Sequence, residues 1–357
     1  MISGSRDSVS LVFSYVQEAH FMSIGKKYRA AATRVPPEIL LEILAATTHR
    51  DLQSTSLVHP TWRTPSQYLL HADLSLPSRK IAKSFLQVEG RKCYSRKLLL
   101  PISLDTEDCW EVLEGVDGLE HLVLVAQEGA TGKSKFEVEL LEASTLAGLK
   151  TLRLTAPFSE PVHPSTAFTF PFRLSTLSFK GTFASYPTAL LECLVDSCAT
   201  SITSLDLDVY GSAADASRFF DALLPIAPRL KHIEIHGSDR ISSRHPLLVF
   251  LTGCSHLESF KCWEASQTLL ASLSPTVSTL EICKTYIFHN DLLYDTLLTQ
   301  SGVLDYVKLI KWSGISRASL KAQRGGNELL GDLEEKGIAT RFGAETRGHW
   351  YGLGLRS

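Results

Sequence analysis

The feature that most constrains this chain is a recurrence. The pattern apolar-x-x-apolar-x-apolar appears as Leu119-Leu122-Leu124, Leu149-Leu152-Leu154, Leu174-Leu177-Phe179, Ile202-Leu205-Leu207, Leu230-Ile233-Ile235, Leu257-Phe260-Cys262, Val277-Leu280-Ile282 and Leu304-Val307-Leu309. The first residues stand 30, 25, 28, 28, 27, 20 and 27 positions apart. Leu99-Ile102-Leu104 and His71-Leu74-Leu76 extend the series upstream. The last two positions of each triplet share the period of a strand, and amphipathic helix candidates lie between triplets, over residues 134–144, 187–198, 215–226, 245–254, 267–273 and 290–300. One strand and one helix cannot bury their apolar faces alone, so repeats of this length must stack into a solenoid.

A doubly wound α/β sheet also alternates strands with helices. Its strands are apolar on both faces, whereas here apolar alternates with polar, as in Leu-Lys-His-Ile-Glu-Ile-His over 230–236. That pattern predicts a parallel sheet with one wet face, which in a solenoid is the concave wall, and helices on the convex side. The 357 residues accommodate one large repetitive domain and a smaller one.

Composition narrows the function classes. With 44% hydrophobic and 21% charged residues the chain can build a sizeable core, which excludes global disorder. A net charge of -2 gives no footprint for nucleic acid or an anionic membrane surface. The longest uncharged apolar runs, 246–252 and 11–16, fall far short of the roughly 20 residues of a membrane span. Residues 1–33 read as a disordered or weakly helical arm, without a small-x-small cleavage site behind their apolar run. Seven irregularly spaced cysteines without a CxxC point to reduced, buried thiols in the cytoplasm, the nucleus or both.

Residues 35–76 break from the repeat pattern. Pro36 and Pro37 set a helix start, with Glu38 in the first turn where the helix dipole favours a negative charge. Ile39, Leu40, Ile43 and Leu44 form its apolar stripe; Asp51 caps a second helix with Leu52, Leu57 and Val58, and Pro60 and Trp62 open a third, which Pro65 is expected to end early. Three helices in about 40 residues bury too little to stand alone, so a partner surface is implied. This stretch resembles an F-box: Val35-Pro36-Pro37-Glu38-Ile39-Leu40, Ile43-Leu44, Asp51-Leu52, Ser56-Leu57-Val58 and Trp62 follow that family's order. The resemblance implies docking onto the Skp adaptor and, through it, a cullin of an SCF ubiquitin ligase. Pro36, Ile39, Leu40, Leu44, Leu52, Val58 and Trp62 would carry that docking or the small core beneath it. The repeats in turn resemble degenerate leucine-rich repeats. The Asn expected three residues after each triplet is replaced by Gln127, Pro157, Thr182, Tyr210, Ser238, Ala265, Thr285 and Trp312, so the turns should be irregular. The expected organisation is an all-α F-box at 34–76, an α/β solenoid at 77–312, and a cap and tail at 313–357 with a helix over 327–336.

Few constellations suggest chemistry. Gly132-Lys133-Ser134 follows an apolar strand as a phosphate-binding loop would, but Gln127 stands where that loop needs its first glycine, and a loop between repeats explains the segment. His232, Glu234 and His236 alternate on one strand. If repeats align in register, Asp206 and Asp208 lie on one side and Lys261 and Trp263 on the other. Such a face could hold a divalent metal, but local spacing fixes no third ligand, and no metal or cofactor is expected. The preferred reading is a target-binding surface formed by Asp206, Asp208, His232, Glu234, His236, Lys261 and Trp263, with Lys150, Arg153, Lys180, Glu281, Tyr306 and Lys308 around it. The sequence thus reads as a non-catalytic substrate receptor of an SCF ligase. The alternative is a repeat scaffold outside ubiquitin transfer.

Overall fold

A computed structural model describes residues 36–47, 49–58, 60–76, 78–87, 93–101, 104–125, 135–155, 157–159, 169–236, 243–263, 265–283, 301–323 and 325–343. The expected N-terminal arm, the helix over 290–300 and the Gly132-Lys133-Ser134 loop lie outside these residues. The chain divides into two compact units, one ending at Ala72 and the other beginning at Asp73.

The described residues of the first unit form three helices, α1 (Pro37–Ala45), α2 (His49–Val58) and α3 (Pro60–Ala72). Pro36 precedes α1 in an extended conformation, and the Leu40 N–H donates to its carbonyl at 3.0 Å. Leu40 and Leu44, one turn apart, bury with Leu52 of α2, while Trp62, Leu69 and Leu70 of α3 pack against them. Contrary to expectation, α3 runs through Pro65 to Ala72. A proline deletes one intrahelical hydrogen bond near the helix start, and the rest of α3 has reasons to persist: Ser66 is fully buried with its hydroxyl 3.1 Å from that of Thr55, and Leu69 and Leu70 belong to the core.

The second unit is an α/β solenoid. Its strands are β1 (Asp73–Ser75), β2 (Cys93–Tyr94), β3 (Lys97–Pro101), β4 (Val116–Asp117), β5 (His121–Val125), β6 (Thr151–Thr155), β7 (Thr176–Thr182), β8 (Ser204–Tyr210), β9 (His232–Ile235), β10 (Ser259–Cys262), β11 (Thr279–Cys283), β12 (Leu309–Ser313) and β13 (Ala339–Gly343). Eleven of them form one sheet in the order β1-β3-β5-β6-β7-β8-β9-β10-β11-β12-β13, every pair parallel. Each strand of this sheet pairs with the sheet's next strand in chain order and the sheet never doubles back, which separates it from a doubly wound fold; β2 and β4 pair apart from it.

Register is held at the start of eight of these strands, β3 and β5 to β11. The carbonyls of Arg96, Glu120, Lys150, Ser175, Thr203, Lys231, Glu258 and Ser278 each accept two successive N–H groups from the following repeat, at 2.8–3.1 Å. A carbonyl has two lone pairs, so one peptide group fixes where the next strand begins without help from an Asn side chain. Inward residues such as Leu122, Leu152, Leu177, Leu205, Ile233, Phe260, Leu280 and Ile310 then stack in a single buried column.

Behind the sheet lie α4 (Arg79–Leu86), α5 (Thr106–Glu114), α6 (Thr188–Cys198), α7 (Ala213–Leu223), α8 (Pro246–Thr252), α9 (Gln267–Ala271), α10 (Arg317–Lys321) and α11 (Gly326–Glu335), with 3-10 turns between several of them. Phe179 meets Tyr186 and Phe219 edge-on at 4.9 and 5.1 Å, which locks the strand layer to the helix layer. The Tyr186 hydroxyl donates to the Leu154 carbonyl at 2.9 Å and joins neighbouring repeats.

Several expectations are corrected. The helix expected over 134–144 is instead a pair of 3-10 turns, Val138–Glu142 and Ser144–Gly148, because its apolar residues bury in a short connection that has no room for a longer stripe. The last triplet is displaced by three residues: Val307, Ile310 and Trp312 point inward, while Leu309 pairs with Thr279 on the open face. Leu99 likewise sits on the open face, between the buried Leu98 and Leu100. The stretch expected as a cap carries α10, α11 and one more strand, β13.

Cys109, Cys198, Cys254 and Cys283 are buried free thiols, and Cys262 is buried too. Burial is the chief cause that pushes the Cys109, Cys254 and Cys283 thiols up to about 12, leaving them unreactive at neutral pH. No helix among the described residues is long and apolar enough to cross a membrane.

Two glycines of α11 give a paired test. A Cβ on Gly326 would lie 1.9 Å from the Leu320 carbonyl oxygen, whereas one on Gly331 would meet nothing within 4 Å. Gly331→Ala should therefore stabilise the protein by about 0.5–1 kcal/mol and Gly326→Ala destabilise it by more than about 1 kcal/mol. Shifts of the urea unfolding midpoint in opposite directions are the expected result.

Candidate functional site

The open face of the sheet gathers charges because every second residue of each strand points there and the register aligns them. One column runs Arg153, Ser178, Asp206, Glu234, Lys261, Glu281, Lys311 and Arg341, each residue opposite the next on the adjoining strand. Beside it, His236 extends from the end of β9, its N–H donating to the Leu207 carbonyl at 2.7 Å, and Trp263 from the end of β10, donating likewise to Ile235.

These side chains form a connected network. His236 Nε2 lies 3.1 Å from Asp206 Oδ1 and 2.9 Å from Glu234 Oε1. Lys261 Nζ reaches the same Glu234 oxygen at 2.9 Å and Glu281 Oε1 at 3.7 Å. At the two ends, Ser178 Oγ donates to Asp206 Oδ2 at 2.8 Å and Ser313 Oγ donates to Glu281 Oε1 at 2.7 Å. The chain Ser178-Asp206-His236-Glu234-Lys261-Glu281-Ser313 thus crosses six strands. The Trp263 ring lies 5.0 Å from the His236 ring, inclined at 31°, so an imidazolium there also gains a cation–π contact.

The electrostatics follow from this geometry. The His236 side chain is only 12% exposed, and burial opposes its charge. Hydrogen bonds to Asp206 and Glu234 overcome that cost and raise its pKa to about 9. Burial likewise opposes ionisation of Glu234, but hydrogen bonds from His236 and Lys261 carry it down to about 2. Lys261 is raised in turn, again against burial, by Glu234. At neutral pH the network holds carboxylates against an imidazolium and an ammonium.

Asp206, Glu234 and His236 each offer one ligand atom, and these lie within 4.8 Å of one another, as a divalent cation would require. With His236 protonated, its Nε2 lone pair is taken, and Lys261 sits on the Glu234 oxygen a metal would share. The arrangement already contains its own cations. It holds no activated nucleophile: His236 is a charge partner, not a base with a free lone pair.

Of the residues expected in the target-binding surface, Asp206, Glu234, His236, Lys261 and Trp263 come together. Asp208 instead pairs with Lys180 at 3.5 Å, and His232 is exposed at the start of β9, away from the network. Tyr306 and Lys308 precede β12; the Tyr306 hydroxyl donates to the Leu273 carbonyl at 3.3 Å. Ser178 and Ser313 were not anticipated. Ser178 follows from the register rule, whereas Ser313 was hidden by the displaced last triplet.

In the helical unit, Leu40, Leu44 and Leu52 are core residues with Trp62 half-buried beside them, while Pro36 and Ile39 are exposed. The side chain of Val58 lies outside the described set. Ile43 and Leu57 are also exposed, at 48% and 75%.

The His236 pKa is higher in the folded chain than its ordinary 6.5, so the stability it adds is complete below about 6.5 and is lost as pH rises through about 9. The wild type should exceed His236→Gln in thermal unfolding temperature at pH 6, and the gap should close by pH 9.5. No family model matches the chain, and no curated protein matches it in sequence. Among solved structures it is similar to the leucine-rich repeat-containing protein LegL7 from Legionella pneumophila, at 15% identity, covering 77% of this chain and 91% of that one, with a TM-score of 0.49. The solenoid assignment rests on the chain's own strand order and register.

Proposed function

We propose that this chain is the substrate receptor of an SCF-type ubiquitin ligase, its helical unit docking on the Skp adaptor and its repeat sheet holding a target protein. The observation that carries the reading is the division of labour along α1. Leu40 and Leu44 fill the small core, while Ile39 and Ile43, one turn apart, stay 46% and 48% exposed, and Leu57 of α2 is 75% exposed. Large apolar side chains left at the surface of so small a unit suit a docking ridge, and they stand within the F-box-like motif itself. The interaction scaffold is the coarser form of the same reading, and it alone requires no adaptor.

In this role the protein performs no bond chemistry. It would raise the local concentration of target beside the ubiquitin-charged enzyme, and the rate gain would come from proximity. A half-buried face whose central cations are held by its own carboxylates, with Trp263 beside them, has the anchor-and-rim character of a recognition surface.

The test is capture of purified Skp adaptor by the full chain. Wild type should bind, and Ile39→Asp/Ile43→Asp should weaken binding by about 100-fold, since each isoleucine contributes roughly 1.5–3 kcal/mol on burial. Because neither side chain is in the core, the variant's thermal unfolding should be unchanged. Absence of capture by the wild type would leave the scaffold without a ubiquitin role.

A further inference from the structure

In the middle of the open face three carboxylates hold two cations, whereas at one end two cations stand together. Asp206 and Glu234 hold His236, and Glu234 and Glu281 hold Lys261. Glu281, although opposite Lys311 in register, spends its carboxylate on Lys261 and Ser313. Lys311 and Arg341 come next, directly opposite each other on β12 and β13. Neither makes an ion pair among the described residues, and Arg341 is exposed on the last strand of the sheet. Two cations on adjacent parallel strands, where strands lie about 4.8 Å apart, repel each other unless an anion joins them.

We propose that the β12–β13 end of the open face receives an acidic segment of a partner protein, with a carboxylate seated between Lys311 and Arg341. The column itself sets the rule: every other carboxylate on it bridges cationic or hydroxyl groups of neighbouring strands, and the Lys311-Arg341 pair lacks that bridge. Charge complementarity selects carboxylates, and the guanidinium favours them further because it binds two oxygens side by side. His236 and Lys261 are already saturated by chain carboxylates, so the acidic segment is directed to this end and not to the centre. The proposal rests on the reading of the open face as the target-binding surface and names the chemistry of what binds there.

The probe is a fluorescently labelled deca-glutamate peptide, titrated into the full chain at low and physiological salt, with deca-lysine and inorganic phosphate as competitors. Binding should occur, weaken with salt, resist phosphate at equal charge and fall at least tenfold in Lys311→Glu/Arg341→Glu. The milder Lys311→Gln/Arg341→Gln should lose most of it with unchanged thermal unfolding, and Lys231→Glu, on a cation already paired with Glu258 at 2.8 Å, should bind as wild type. Absence of peptide binding, full competition by phosphate, or equal binding by the double variants would overturn the proposal. Adaptor capture measured on the same samples separates the two readings: capture retained without peptide binding sinks only this inference, and peptide binding without capture sinks only the ubiquitin role.

Discussion

The open face depends on one backbone interaction: ahead of eight of the sheet's strands, β3 and β5 to β11, a carbonyl takes two N–H groups from the next repeat, and ahead of β12 the Lys308 carbonyl takes one, from Ala339. It fixes where the following strand begins. In a parallel sheet a slip of one residue would exchange the buried and exposed faces of that strand. With the start fixed, residues 20 to 30 positions apart in sequence become lateral neighbours, as Ser259 and Thr279 or His121 and Thr151 are. The apolar column and the charged column are two consequences of the same register.

That register explains why an irregular sequence supports a regular sheet. A side-chain ladder would demand the same residue type in each repeat, whereas a peptide carbonyl is supplied by any residue. Arg96, Glu120, Ser175 and Thr203 occupy the equivalent place without a shared side chain. Loops between strands are accordingly free to vary in length, and charge on the open face can be set strand by strand. On the middle strands like-charged Asp206 and Glu234 are bridged by His236, and Glu234 and Glu281 flank Lys261; the last two strands place Lys311 beside Arg341 with no such bridge among the described residues.

Much of this was legible in the sequence. The strict alternation over 230–236, and the spacing to the neighbouring triplets, put Asp206, Glu234, His236 and Lys261 on one face before any coordinates. Legibility failed where apolar residues were too many or too few. Leu98, Leu99 and Leu100 are consecutive, as are Leu309 and Ile310, so periodicity alone could not decide which face each takes. In β13 only Phe342 is a large apolar residue on the inner side, with Thr340 in line behind Ile310, so the final strand left no triplet to find. Pro65 misled for a different reason: local backbone preference was outweighed by packing of the residues after it.

The register that makes distant residues neighbours is read directly by a double-mutant cycle. Asp206→Asn and His236→Gln, singly and together, are unfolded in urea at pH 6, where the network is charged. A coupling free energy of about 1 kcal/mol or more is predicted, and single-variant effects that simply add to within about 0.3–0.5 kcal/mol would contradict it.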